Sequence, residues 1–312
     1  MTFIDRTLGA AALAVTLLGS TAAWAASVGP QIAVQLWTTR NSGTPAEQLA
    51  LIKAAGVNYV ETFGNFGGTG AEAKILLDSF GMAAISAHTD LGSLRSDIGA
   101  VIARQQAMGN STIVLPYIAP ADRPADEAGW AALGTELGGY AATMAAAGMT
   151  FGYHNHDFDL VQFNGRTAVE IMLEAAGPLL KTQVDIGWVA AAGLDPLDYL
   201  AAVTGQVISI HAKDVADPAD PGPTAGGMAA FGFDFAAVGD GVIDWAAVLP
   251  AAGAAGAGWF IIEHDFPPDA FLVVSRSNAY LTAALAPVPV PAALPLLGGG
   301  LAALALYRRM RR

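Results

Sequence analysis

Cysteine is absent from this 312-residue chain, which removes disulfide bonds, thiolate metal sites and a thiol nucleophile together. Charge is scarce too. Only 13% of residues are Asp, Glu, Lys or Arg, and the basic share is small, 15 Lys and Arg against 27 Asp and Glu. A net charge of −12 leaves no basic face to follow a phosphate backbone, so nucleic acid is not an expected partner. After the first predicted strand comes Trp37-Thr38-Thr39-Arg40, without the glycines of a dinucleotide-binding turn. What is plentiful is apolar material. Hydrophobic residues make up 54% of the chain, enough for a large core and against disorder. The length suits one α/β barrel of about 250 residues with something added at each end.

Both ends read as processing segments. Residues 1–25 have a weakly basic start at Arg6, an apolar run Leu8–Leu18 and the small-x-small site Ala23-Trp24-Ala25, the order of a signal peptide. Residues 288–312 begin Val288-Pro289-Val290-Pro291-Ala292. They continue through 16 apolar residues, Ala292–Tyr307, to Arg308-Arg309-Met310-Arg311-Arg312. That run is shorter than the ~20 residues of an ordinary spanning helix, and the arginines would stay cytoplasmic. The three-part order resembles the exosortase-recognised sorting signals of Gram-negative bacteria, in the Val-Pro-x-Pro-Ala form. The resemblance implies an exosortase-like processing enzyme as a partner and a transient membrane anchor. It also implies export to the periplasm or cell surface. Without the leader and the terminal arginines, 10 basic and 26 acidic residues remain, a net charge of −16.

Between the ends, residues 31–285, strand-like and helix-like stretches alternate. Short apolar runs predict strands at Ile32–Leu36, Asn58–Glu61, Met82–Ser86, Thr112–Leu115, Thr150–Tyr153, Thr182–Ile186, Val207–Ile210 and Trp259–Glu263. Helices are predicted between them, for example Pro45–Ala55 before Gly56 and Trp245–Ala255 before Gly256. Eight strands each followed by a helix is the count of a single-domain (β/α)8 TIM barrel. The segment Val215–Val242 is long and rich in Asp, Pro and Gly, with Phe231, Phe233 and Phe235 alternating. It reads as a lid or rim after the seventh strand.

All five histidines, His88, His154, His156, His211 and His264, fall where a predicted strand ends. Carboxylates gather at the same edges: Glu61, Asp185, Glu263 and Asp265. In a parallel barrel that edge carries the chemistry. His154 and His156 share a strand face if the fifth strand persists that far, either as two metal ligands or as one ligand and one substrate contact. Asp185, His211 and Glu263 end the next three strands. A shell of His, Asp, His and Glu suits one divalent ion of Mn, Zn, Co, Fe or Mg. Such an ion acidifies a proton α to a carbonyl, and Glu263 or a histidine, His156 in particular, would remove it. Lys213, one of four lysines, would stabilise an enolate oxygen or simply pair with Asp214 or Glu263. Glu61, His88 and His264 lie on the same rim as candidate substrate contacts.

The matching pieces come in order: Gln35-Leu-Trp-Thr-Thr-Arg40, Val60-Glu61, Tyr153-His-Asn-His-Asp-Phe158, Asp185-x-x-Trp188, His211-Ala-Lys-Asp214, Gly239-Asp-Gly-Val-Ile-Asp244 and Glu263-His-Asp265. From Gln31 to Leu285 the chain resembles the sugar phosphate isomerase/epimerase family with the xylose-isomerase-like TIM barrel. The resemblance implies one divalent metal held by a Glu, Asp, His and Glu from strands five to eight. The last three correspond to Asp185, His211 and Glu263, while His154 stands in the first place. It also implies an isomerase, epimerase or lyase acting on a sugar or keto-sugar through a metal-stabilised enediolate. With His154 in that place, a two-glutamate epimerase is less expected than chemistry with one carboxylate base. Trp188 stands where the family has a substrate-binding histidine, and would stack on a sugar face. The alternative is a non-catalytic surface carbohydrate-binding barrel. A related abasic-site endonuclease is opposed by the negative charge.

Overall fold

The computed structural model describes residues 31–286, apart from 221, 227 and 229–231. The expected leader, 1–25, and sorting segment, 288–312, lie outside the described residues, as does Phe231. Along the chain run β1 (Ile32–Gln35), β2 (Tyr59–Phe63), β3 (Ala83–His88), β4 (Thr112–Leu115) and β5 (Thr150–His154). A small antiparallel hairpin follows, β6 (Gln162–Phe163) and β7 (Arg166–Thr167). Then come β8 (Leu180–Asp185), β9 (Val207–Ala212), the short pair β10 (Asp214–Val215) and β11 (Phe235–Ala236), and β12 (Trp259–Ile262). Strands β1, β2, β3, β4, β5, β8, β9 and β12 close a parallel barrel in that cyclic order. The expected TIM barrel is the fold observed.

The helices are α1 (Pro45–Ala54), α2 (Gly70–Ser79), α3 (Leu91–Met108), α4 (Glu127–Ala146), α5 (Ala168–Ala176), α6 (Ile186–Ala191), α7 (Pro196–Ala202), α8 (Trp245–Ala255) and α9 (Ala270–Ala284). Local chemistry starts them. Thr44 with Glu47, Thr69 with Glu72 and Thr167 with Glu170 form capping boxes at α1, α2 and α5, each satisfying two amides that have no partner within the helix. Gly134 lets α4 close on α5, since a Cβ there would collide with the Met172 backbone. Among the described residues no helix is long and apolar enough to cross a membrane.

Two expectations change in detail. Strand β5 stops at His154, so His156 is carried by the following turn, where its amide donates to Asp159 Oδ1 at 3.0 Å. The long segment after β9 is partly structured by Asp214. This carboxylate accepts from the amides of Val215, Gly239, Gly241 and Ile243 and from Trp245 Nε1 at 2.8 Å. One buried acid thus ties the returning loop to the start of α8. Met228 and Phe235 from that loop pack on Trp188.

Candidate active site

The barrel register sets neighbouring strand ends side by side, with Asp185 of β8 opposite His211 of β9. His154 ends β5, and Glu263 is the residue after β12. All four side chains are buried. Asp185, His211 and Glu263 bring ligand atoms within 4.8 Å of one another. His211 Nδ1 lies 3.7 Å from Asp185 Oδ2 and 3.8 Å from Glu263 Oε2, too far for hydrogen bonds. His154 Nε2 stands 3.8 Å from Asp185 Oδ2. Asp185 itself is oriented by Asn155, whose side chain bonds the Asp185 amide at 2.9 Å, and by donation from the Trp188 amide to Oδ1.

The hydrogen-bond network fixes which nitrogens face this group. Glu61 is fully buried. Burial opposes its ionisation, but His88 and His211 outweigh that and hold the carboxyl well below the usual range. A carboxylate only accepts, so His211 Nε2 donates to Glu61 Oε1 at 2.7 Å and its Nδ1 is the nitrogen that faces the ligand group. Gln183 Nε2 donates to Glu61 Oε2 at 2.8 Å, which leaves Gln183 Oε1 as an acceptor. His88 Nε2 at 2.9 Å and His154 Nδ1 at 3.1 Å both donate to it. His154 Nε2 therefore presents its lone pair toward Asp185. Burial, with the neighbouring His211 and His156, lowers the His154 pKa well below its ordinary value, so the ring is neutral, as a ligand must be.

This donor set fits a divalent ion. Asp185 Oδ2, His211 Nδ1 and Glu263 Oε2 are buried without an aligned hydrogen bond, and tetrahedral ligands at ~2.0–2.2 Å from a metal sit roughly 3.3–3.6 Å apart, close to the spacings found. Charge points the same way. Asp185, Glu263 and Asp265 surround a single ammonium, Lys213, which is 1% exposed. Lys213 Nζ pairs with Asp185 Oδ2 at 3.0 Å, Asp265 Oδ2 at 2.6 Å and Glu263 Oε2. Burial and the nearby Glu263 carboxylate raise Asp265 to about 6, and Asp185 is also raised, chiefly by burial. In both, burial comes first and the neighbouring Glu263 carboxylate adds to it, against the pull of Lys213. Burial would likewise raise Glu263, but Lys213 and His211 hold it well below the usual carboxylate range. Burial lowers His211, yet Glu61 and Glu263 outweigh it and bring the ring to about 9. The carboxylates that draw a proton to Nδ1 would draw a metal ion there as well.

A cavity of about 450 Å³ opens over this group, its wall including His88, His154, His156, Glu263 and Asp265. The His156 ring is neutral, since burial and then Lys213 lower it to about 3. It stacks on Phe158 and leans on Trp188, with centroids 5.7 and 5.1 Å apart. Three residues expected to touch substrate are placed elsewhere. Glu61 lies beneath the ligands, its oxygens taken by Gln35, His88, His211, Ser86 and Gln183. His264 is buried with both ring nitrogens committed, to the Thr224 carbonyl and the Phe266 amide, and so latches the loop after β9. Trp188 is 7% exposed and edge-on to Phe233 and Phe235, a support for that loop. Lys213 pairs with Asp265 as well as Glu263, while Asp214 serves the loop. Sequence reasoning set Asp265 on the rim without a role, and overlooked Gln183 and Asn155, which orient ligands, and Trp37 and Tyr117, which line the cavity with Asp265. Asp265 had a signal in its place after Glu263-His264; a buried glutamine in a strand had none.

Residues 49–273 match the model of a family described as Xylose isomerase-like TIM barrel. No curated protein matches the chain in sequence. A sugar phosphate isomerase/epimerase from Parabacteroides distasonis superposes with a TM-score of 0.67 at 16% identity, over 83% of this chain and 98% of the other. The IOLI protein, solved with a zinc atom, gives 0.65 at 12% identity over 83% and 100%. An L-ribulose 3-epimerase gives 0.59 at 14% identity over 82% and 94%. Identities this low speak for the shared fold.

Proposed function

The chain belongs to the xylose isomerase-like TIM barrel family, and from that premise we propose that it is a divalent-metal-dependent isomerase or epimerase of a sugar or keto-sugar. One observation carries the reading. The ligand atoms His211 Nδ1, Asp185 Oδ2 and Glu263 Oε2 converge, buried, beside a sugar-sized cavity. His154 joins through Asp185. The metal, when bound, polarises the substrate oxygens and so acidifies the adjacent C–H.

The chain's own residues do the rest. Glu263 lines the cavity and is kept ionised by Lys213 and His211, so it is in the form that accepts the α-proton. Lys213, with its three donors taken by Asp185, Glu263 and Asp265, holds these carboxylates together beneath the cavity. Asp265, raised to about 6, and the neutral His156 are further groups on the cavity wall able to carry a proton. Return of the proton to the same carbon gives epimerisation, and to its neighbour isomerisation; loss of a β-hydroxyl instead gives elimination. An endonuclease reading is opposed by the net charge of −12.

The test is metal analysis of the purified chain together with exchange of substrate C–H protons into deuterated water over a panel of aldoses and ketoses. One equivalent of metal with exchange on some sugar is the expected result. Sugar binding without exchange of any proton would favour a carbohydrate-binding barrel instead.

A further inference from the structure

Lys213 sits in a socket shaped to its ammonium. Nζ meets Asp185 Oδ2 at 3.0 Å, Asp265 Oδ2 at 2.6 Å and Glu263 Oε2, one carboxylate for each of its three donors. The stem is fitted as closely as the head. A Cβ on Gly187 would stand 2.8 Å from Lys213 Cγ and 2.9 Å from Cδ, so glycine is what leaves room for the lysine beside it. The rings of Phe235 and Trp188 lie 4.6 and 5.2 Å from Nζ and close the socket with electron-rich faces. Arg40 is the other cation whose field reaches Glu263 and Asp265. It is drawn aside to the Trp37 carbonyl, at 2.6 Å, and over the Trp37 ring, which leaves the three oxygens to Lys213.

Two of those oxygens have a second task. Asp185 Oδ2 and Glu263 Oε2 also converge with His211 Nδ1 on the candidate metal position, and a carboxylate has lone pairs enough for both neighbours. Two cations held about 3.5–4 Å apart and acting together are the plan of a two-metal centre. Here the second set of ligands, Asp185, Glu263 and Asp265, is all carboxylate oxygen, a set that suits a hard divalent ion. Resting on the metal-dependent reading above, we infer that Lys213 Nζ is the built-in second cation of a two-cation centre and holds the chain to a single divalent ion. With the ammonium gone, Asp185, Glu263 and Asp265 take a second ion in its place.

The experiment loads the full chain with Mn2+, counts the ions by calorimetry and elemental analysis, and reads their pairing by electron paramagnetic resonance. The wild type should bind one equivalent, with the hyperfine pattern of an isolated ion. Lys213→Ala should bind two, with the spectrum broadened by coupling between neighbouring ions and with unchanged circular dichroism. One equivalent in Lys213→Ala, at whatever affinity, overturns the inference and leaves the metal-dependent reading standing. A second equivalent without coupling is bound elsewhere and overturns it too. A wild type that takes up neither Mn2+ nor Zn2+ brings down both readings. A measurement on the wild type is independent of how the variant folds. Among the four lysines, the nitrogen resonance of the Lys213 ammonium should persist in the magnetic resonance spectrum when Zn2+ is added. Its loss would mean that ammonium and metal compete for one place, and the inference would fall.

Discussion

Glu61 Oε1 accepts from His211 Nε2 at 2.7 Å, with both side chains fully buried. A residue of the second barrel strand thereby decides which nitrogen of a seventh-strand histidine faces the candidate metal position. Carboxylate partners of this kind orient ligating imidazoles and raise their basicity.

Glu61→Gln keeps the shape and one acceptor oxygen but removes the charge. Metal affinity should fall about 10- to 100-fold, read by titration of the metal-free protein. An unchanged dissociation constant in a folded variant would mean that Glu61 serves only the barrel interior.

Asp185→Ala and His211→Ala each take away one of the three closest ligand atoms. Each should lose the single equivalent of divalent metal and all turnover while far-ultraviolet circular dichroism stays that of the barrel. Stoichiometric metal in both variants would sink the site assignment.

His154 and His156 should separate cleanly. The lone pair of His154 faces Asp185, 3.8 Å away, whereas His156 sits on the cavity wall in a turn. His154→Ala is expected to lose metal. His156→Ala should keep metal and bind sugar more weakly. The opposite pattern would exchange their roles.

Glu263→Gln retains size and some ligating ability but accepts no proton. Exchange of the substrate α-proton into deuterated water should drop at least about 100-fold. Exchange at the wild-type rate would make Glu263 a ligand only and move the base to Asp265 or His156.

Asp214→Ala removes the acceptor of five hydrogen bonds around the loop after β9. Leaving those buried donors unpaired should cost about 2–4 kcal/mol, visible as a lowered melting temperature and as faster amide exchange in residues 239–245. A melting curve like that of the wild type would show the loop to be held by its apolar contacts alone.

The alternation of apolar runs and helix-capping signals is local, so the sequence alone determined eight strands, the barrel and the rim on which imidazoles and carboxylates gather. Strand Thr112–Leu115 and helix Trp245–Ala255 are found with the bounds read from sequence. Which rim residue meets which was decided only by tertiary structure. The strand pairing shifts register between Val60 and Glu61 and again between Thr182 and Gln183, and those two residues form the floor beneath the ligands. A bulge redirects a side chain without any mark in the local pattern. The same holds for His264 and Trp188, which look like substrate contacts in one dimension. They are buried by a loop whose path depends on Asp214 and on Phe235, dozens of residues from either. Strand periodicity says that a side chain lies at an edge; closure of the barrel and of its loop decides whether that edge faces substrate, metal or core.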